Sequence, residues 1–190
     1  MDDKSIVQIE DPPIARALFC DTRWAWIWLI VRLYVGWDWF SEGLAKTASP
    51  VWAGAKAGAA LTAWLAGALT KTQGAHPDVQ GWYATFLVVF VAPHAAFWSI
   101  LVSYGELFVG LGLIFGLLTG IAAYFGTVMN ASFLLGGTVS TNPILLGLGT
   151  LLVLAWKTAG WWGLDRWVLT RLGTPWHRGP IAQPLAHPVT

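Results

Sequence analysis

The sequence predicts an all-α fold, an integral membrane four-helix bundle with an additional interfacial or re-entrant helical segment. Three observations predict it. Of the 190 residues, 56% are hydrophobic and 11% charged, against roughly 25% charged in soluble domains. Mean hydropathy is +0.58. The apolar residues gather into runs that approach the roughly 20 residues a spanning helix needs. The chain also carries 14 Trp, whose amphipathic rings favour the membrane interface. A net charge of +1 offers no footprint for nucleic acid. Cys20 has no second cysteine, which excludes an internal disulfide, a CxxC redox pair and a Cys-rich metal or iron–sulfur site.

Residues 1–23 read as a polar cytoplasmic segment lying along the membrane surface, with no cleavable signal peptide expected. The membrane domain covers 24–163. Its first span, 24–46, holds Arg32, Asp38, Glu42 and Lys46. With Arg32 at 0° on a helical wheel, Gly43 falls at about 20°, Gly36 at 40°, Lys46 at 320°, Glu42 at 280° and Asp38 at 240°. Charges and glycines therefore share one half, and Leu29, Ile30, Leu33, Trp37 and Phe40 take the other. A charge at mid-bilayer is costly, so such residues turn inward, pair, or line a wet cavity.

Residues 47–93 form the outer interfacial segment. Within it, 51–70 is Ala- and Gly-rich with modest hydrophobicity, which favours a helix in the interface over a fifth span. Gly81 to Ala92 is too short to span and stops at Pro93, so it reads as a separate re-entrant or interfacial helix. The second span is 94–118, with Glu106 near its middle and Gly105, Gly112 and Gly116 along one side for close helix packing. Thr119-Gly120 reads as a tight turn. The third span is 121–137, with Asn130 near its centre. The fourth is 144–162, ending beside Lys157. Residues 164–190 read as a cytoplasmic amphipathic helix and a loosely ordered tail. Basic residues concentrate at Arg16, Arg23, Arg166, Arg171 and Arg178, which places both termini inside. Trp24, Trp26, Trp28, Trp161, Trp162 and Trp167 then form the inner aromatic belt.

The chemistry is expected among the deep polar residues. Arg32 is expected to pair with Glu106, the other deep charge, at a ligand or proton site. The bland alternative is an ion pair that only sets helix register. Glu42 and Lys46 stand i,i+4 in the order that favours an ion pair, and Glu42 is expected to approach His94. Tyr104 and Asn130 are candidate hydrogen-bond partners for a buried carbonyl, although Asn also serves between helices. Two-His haem binding needs a second intramembrane His. His76, His177 and His187 lie outside the spans, so no haem is expected. No dinucleotide fingerprint, P-loop, Ser-His-Asp arrangement or metal cluster is present, so neither flavin nor metal is expected. An electron carrier would be a bound, exchangeable quinone or belong to a partner subunit.

Several stretches together resemble one family. They are LIVRLYVGWDWFSEGLAK around Arg32, Gly36, Gly43 and Lys46, and HPDVQGWYATFL at His76 to Leu87. YGELFVGLGLIFGLLTG comes next around Gly105-Glu106, then MNASFLLGGTVSTNP at Met129 to Pro143 and GWWGLDRWVL at Gly160 to Leu169. The chain is similar to the DoxX/DoxD family of four-helix membrane proteins, in particular to the DoxD small membrane subunit of thiosulfate:quinone oxidoreductase. The resemblance implies a prokaryotic inner-membrane subunit that works in oxidation of thiosulfate to tetrathionate with electrons passed to membrane quinone. On that reading Glu106 and Arg32 are catalytic, and Glu42, Lys46, His94, Tyr104 and Asn130 bind substrate or quinone. Expected partners are membrane lipid, quinone and other subunits of a membrane complex. The alternative is a non-catalytic accessory or anchoring subunit of a respiratory or photosynthetic complex. A transporter is a third class, which the charged first span permits although no repeated half is present.

Overall fold

The computed structural model describes residues 11–171. The first ten residues, Leu172 and the Pro-containing tail lie outside them, as do His177, Arg178 and His187. Among the described residues the chain is helical and has no strand. A short amphipathic helix, α1 (Pro13–Cys20), begins with Pro at its first turn, where the missing N–H is tolerated. A 3-10 turn at Thr22–Trp24 comes next, with Asp21 capping its start through the Arg23 N–H. The Arg23 side chain and backbone hold the Asp21 carboxyl below its usual range.

The long helix α2 (Ala25–Ala48) has 24 residues, about 36 Å. Its buried stripe is Ala25, Trp28, Arg32, Val35, Gly36, Trp39 and Gly43. Ile30, Leu33 and Trp37 face outward, as the wheel requires. Trp28, expected in the aromatic belt, is instead core: it is 4% exposed. Its indole N–H donates to the Leu18 carbonyl at 2.7 Å and its ring stacks on Phe19, so it ties α1 to α2.

After turns at residues 49–57, α3 (Ala59–Thr70) buries Leu61, Leu65 and Ala68 against Tyr83, Leu87 and Val91 in a second, smaller core. The separate helix expected before Pro93 is not separate. α4 (Gly81–Phe86) runs through a π turn at Leu87–Val91 and a 3-10 turn at Ala92–His94 into α5 (Ala95–Phe115). Pro93 removes one N–H and crowds the preceding turn. The wider π turn absorbs that locally, so the helix bends without stopping. The resulting stretch, Gly81–Phe115, has 35 residues and is both long and apolar enough to cross a membrane.

α5 ends in a Schellman arrangement. Gly116 is left-handed (φ +63°), the Leu117 N–H donates to the Gly112 carbonyl at 2.8 Å and the Gly116 N–H to the Leu113 carbonyl at 3.3 Å. The turn is therefore residues 116–118, and Thr119-Gly120, expected to form it, already belongs to α6 (Thr119–Leu135). α7 (Asn142–Leu154) has Pro143 in its first turn. It ends after 13 residues, about 20 Å, where an unbroken fourth span to 162 was expected. Ala155 breaks the helix, and α8 (Trp156–Ala159) restarts it so that Ala155, Thr158 and Ala159 are buried. α9 (Asp165–Arg171) closes the described chain.

The main core joins Trp28, Val35 and Trp39 of α2 to Val109 and Leu113 of α5, Ala123 of α6, and Leu145 and Leu152 of α7. Glycine sets the spacing of the antiparallel α2–α5 pair. A Cβ on Gly43 would lie 2.6 Å from the Leu107 Cα, and one on Gly110 would lie 2.5 Å from the Phe40 Cα. On its other side α5 presents Gly105 to Met129 and Gly112 to Ala122 of α6, as the glycine line predicts. Gly43→Ala and Gly110→Ala should each lower stability by about 1–3 kcal/mol. Gly147→Ala, with nothing within 4 Å of its Cβ, should be neutral or slightly stabilising. Denaturant titration of the purified variants checks the contrast.

Candidate functional site

Three glycine contacts determine which charges meet. Gly43 faces Glu106–Leu107, Phe40 faces Gly110, and Gly36 faces Leu113–Ile114. In this antiparallel register facing residue numbers sum to about 150, so Glu106 stands opposite position 44. Arg32 is then about 12 residues, or 18 Å, away along α2. The expected Arg32–Glu106 pair does not form. Glu106 instead receives Lys46, whose Nζ donates to both carboxylate oxygens at 2.6 Å. The carboxylate side chain is 1% exposed and the lysine 18%.

Lys46 is held from three sides. Its Nζ lies 5.2 Å from the Trp52 ring centroid and 5.6 Å from that of Phe133, within range of the attraction between a cation and an aromatic face. Trp52 is anchored because the Ser99 hydroxyl donates to its carbonyl at 2.6 Å. Phe133 is packed between Trp39 and Trp64, and the Trp64 indole N–H donates to the Thr138 hydroxyl at 2.8 Å. The sequence pattern did not single out Trp52, Ser99 or Phe133.

Asn130 belongs to the same level. α6 runs antiparallel to α5 with Met129 beside Gly105 and Ala122 beside Gly112, so Asn130 lies within about one turn of the level of Glu106. Its side chain is buried, and neither Oδ1 nor Nδ2 has a hydrogen-bond partner within the protein. A buried amide with unused donor and acceptor capacity, near the level of a buried ion pair, is a candidate place for a polar ligand.

Of the remaining expected site residues, Glu42 lies within electrostatic range of Glu106, as does Asp38, whereas His94 and Tyr104 are not brought to it. Glu42 and His94 are exposed. No hydrogen bond or ion pair joins them among the described residues, and Lys46 pairs with Glu106 and not with Glu42. Tyr104 is 44% exposed and lies against Phe108.

Arg32 organises the opposite end of α2. It is 1% exposed and donates to the Trp162 carbonyl at 2.8 Å. A side chain on Gly116 or Gly163 would collide with its guanidinium. Asp165, placed by the sequence on a surface helix, is fully buried there. Its carboxylate accepts the Leu118 N–H at 2.5 Å and the Thr119 N–H at 2.9 Å, capping the start of α6 with negative charge. This offsets the left-handed backbone of Leu118 (φ +49°). The Leu164 and Asp165 N–H groups donate to the Phe115 and Gly116 carbonyls. This node fastens the 160–165 segment to the α5–α6 turn, and the Arg32 Nε and Nη1 within it have no hydrogen-bond partner in the protein.

A second feature adjoins the Lys46 site. An apolar groove of about 810 Å³ runs along α5 and α6 under α3 and the 81–91 helix. Phe86, Phe108 and Phe125 line it, and Phe133 is shared between the groove and the Lys46 cage. Among the described residues no group of three or more His, Cys, Asp or Glu is placed to hold a metal ion. Compared with family models, curated proteins and solved structures, the chain matches none.

A double-mutant cycle tests the pairing. Lys46→Met should cost about 3–5 kcal/mol because it strands a buried carboxylate, and adding Glu106→Leu should recover most of that loss. Arg32→Met combined with Glu106→Leu should be additive to within about 0.5 kcal/mol. Unfolding in detergent micelles reads both cycles.

Proposed function

We propose that this chain is a multi-span membrane subunit of a quinone-linked oxidoreductase, similar to the DoxD subunit of thiosulfate:quinone oxidoreductase. In this reading α2, α5, α6 and the broken α7–α8 rod form the membrane bundle. Residues 49–80 roof its outer mouth, and both termini face the cytoplasm. Two features support the membrane setting. Only 17% of the most apolar window in Gly81–Phe115 is buried within the protein, whereas an apolar core helix of a soluble domain is mostly buried. Large apolar side chains such as Trp37, Phe97, Phe108, Phe125 and Ile144 are likewise exposed along the helices, far beyond the patches a soluble monomer carries.

The observation that carries the function is the adjacency of the apolar groove and the Lys46–Glu106 pair across the shared Phe133 ring. A membrane quinone has an apolar prenyl tail and a ring with two carbonyl oxygens. The groove suits the tail, and its volume falls in the roughly 300–1,000 Å³ range of ligand sites. Lys46 supplies positive charge where negative charge develops on an oxygen, Asn130 supplies an amide donor, and the Glu106 carboxylate can accept a proton and pass it on. Oxidation of two thiosulfate ions to tetrathionate releases two electrons, which with two protons convert quinone to quinol. The sequence holds no electron-carrying motif, so the donor side belongs to a partner subunit. Arg32 lies at the other end of α2 and takes no part in the chemistry.

In membranes containing the chain and its partners, Glu106→Gln should lower thiosulfate-dependent quinone reduction by at least about 100-fold, with the protein still accumulating at normal levels. Quinone reduction at the wild-type rate in that variant would remove Glu106 from the mechanism and favour the accessory-subunit reading.

A further inference from the structure

On the quinone reading, on which this inference rests, a ligand held in the groove must bring an oxygen to Lys46, and Phe133 stands between them. The groove offers a polar head no free side-chain donor. The Tyr83 hydroxyl on its wall donates to the Ser132 carbonyl at 2.8 Å and the Ser132 hydroxyl to the Val128 carbonyl at 2.9 Å. The Trp64 indole N–H goes to the Thr138 hydroxyl at 2.8 Å and that of Trp98 to the Phe90 carbonyl at 3.2 Å. Across Phe133 the situation differs. An ammonium has three N–H donors, and two of those on Lys46 serve the Glu106 oxygens at 2.6 Å each. The third is left among aromatic faces, with the Trp52 centroid 5.2 Å and the Phe133 centroid 5.6 Å from Nζ. The Phe133 ring has little freedom to move aside. The Trp39 centroid lies 6.5 Å from it and that of Trp64 6.3 Å, edge-on. Trp64 is itself pressed on Gly136, where a Cβ would come within 2.4 Å of the indole.

We propose that Phe133 is the specificity-determining residue of this site: it admits to Lys46 a flat, conjugated head that bears a carbonyl oxygen on an apolar tail, and it discriminates against puckered heads that carry the same oxygens. A ring that cannot displace Phe133 must lie along it. A flat head does so in an offset stack, the arrangement aromatic faces favour, and its edge oxygen then meets the third Lys46 N–H. The electron-poor ring of a quinone suits the negative face of phenylalanine, so the stack and the hydrogen bond act together. A saturated ring presents hydrogens to the face, stands off from it, and gives up one contact to keep the other. Trp52 is not on the groove wall. Phe133 is therefore the aromatic face that serves both the channel of the tail and the ammonium.

The test uses the full chain in phosphatidylcholine nanodiscs, with empty nanodiscs as the blank. One probe is a tritiated benzoquinone with a decyl tail. The other, read by competition, is a cyclohexanedione with the same tail, whose two carbonyl oxygens sit on a puckered, saturated ring. The wild type should bind the benzoquinone about tenfold more tightly than the dione. Phe133→Leu keeps an apolar side chain but removes the ring face, and should bring the two probes to within about threefold, chiefly by weakening the benzoquinone. Phe133→Tyr keeps the face and should retain the preference. Absence of benzoquinone binding to the wild type refutes the quinone reading itself. Equal binding of both probes to the wild type leaves that reading standing and overturns the role given to Phe133. That role also falls if the Leu variant keeps the preference or the Tyr variant loses it. Loss of both probes together in the Leu variant overturns it as well, since Phe133 would then serve packing alone.

Discussion

The Glu106 carboxylate is almost completely shielded from solvent, and an isolated buried carboxylate is among the most unfavourable groups a fold can contain. Lys46 neutralises it, and the rest of the site is built on the geometry that contact demands. Both carboxylate oxygens are engaged, which needs the α2 and α5 backbones close together and in one register. Gly43 and Gly110 provide the approach, because each presents backbone where any Cβ would collide with the other helix. A shift of one residue along either helix would rotate its facing side chains by about 100° and put bulk where the glycines now sit. The ion pair and the glycine contacts therefore select the same register. That agreement is what distinguishes a specific helix pair from a merely apolar one.

The segregation of charge on α2 was legible because helical periodicity alone decides it. Placing Arg32, Gly36, Gly43 and Lys46 on one half and Leu33 and Trp37 on the other needs no partner. The identity of the partner was not legible. Glu106 could meet Arg32 or Lys46 depending on a register set by Gly110, which lies off the line formed by Gly105, Gly112 and Gly116. Gly105 and Gly112 do pack on α6, but Gly116 is the left-handed residue that ends α5 and meets Arg32 and Gly163. Two glycines of α2 seven residues apart, matched to Gly110, would have indicated the α5 register.

Asp165 was missed for a different reason. Its partners are backbone N–H groups of residues 118 and 119, and a sequence pattern does not display which carboxylate caps a distant helix. It also stands beside Arg166 and Arg171, so local charge made the segment look like a solvated face. Pro93 misled in the opposite direction. Proline marks helix ends well when the chain must satisfy its own backbone locally. Here the π turn before it keeps the helix continuous, and packing of 83–91 on α3 holds the bend. The break at Ala155 has neither Gly nor Pro to announce it.

The two cations of α2 differ in how completely each is sealed. Arg32 is closed in by Gly116, Gly163 and the Trp162 carbonyl, in a space that would not admit even one added methyl group. Its Trp162 contact ties α2 to the 160–165 segment. Lys46 keeps 18% of its side chain accessible beneath Trp52, in a chain segment of turns and not of helix. Its ammonium therefore touches both the outer mouth and the dry carboxylate of Glu106. On its other side Phe133 separates it from an apolar groove. A proton arriving from the mouth and an apolar molecule arriving from the groove would meet at this pair. On the proposed reading, the end of the bundle that carries the chemistry is therefore the one whose ion pair is left ajar.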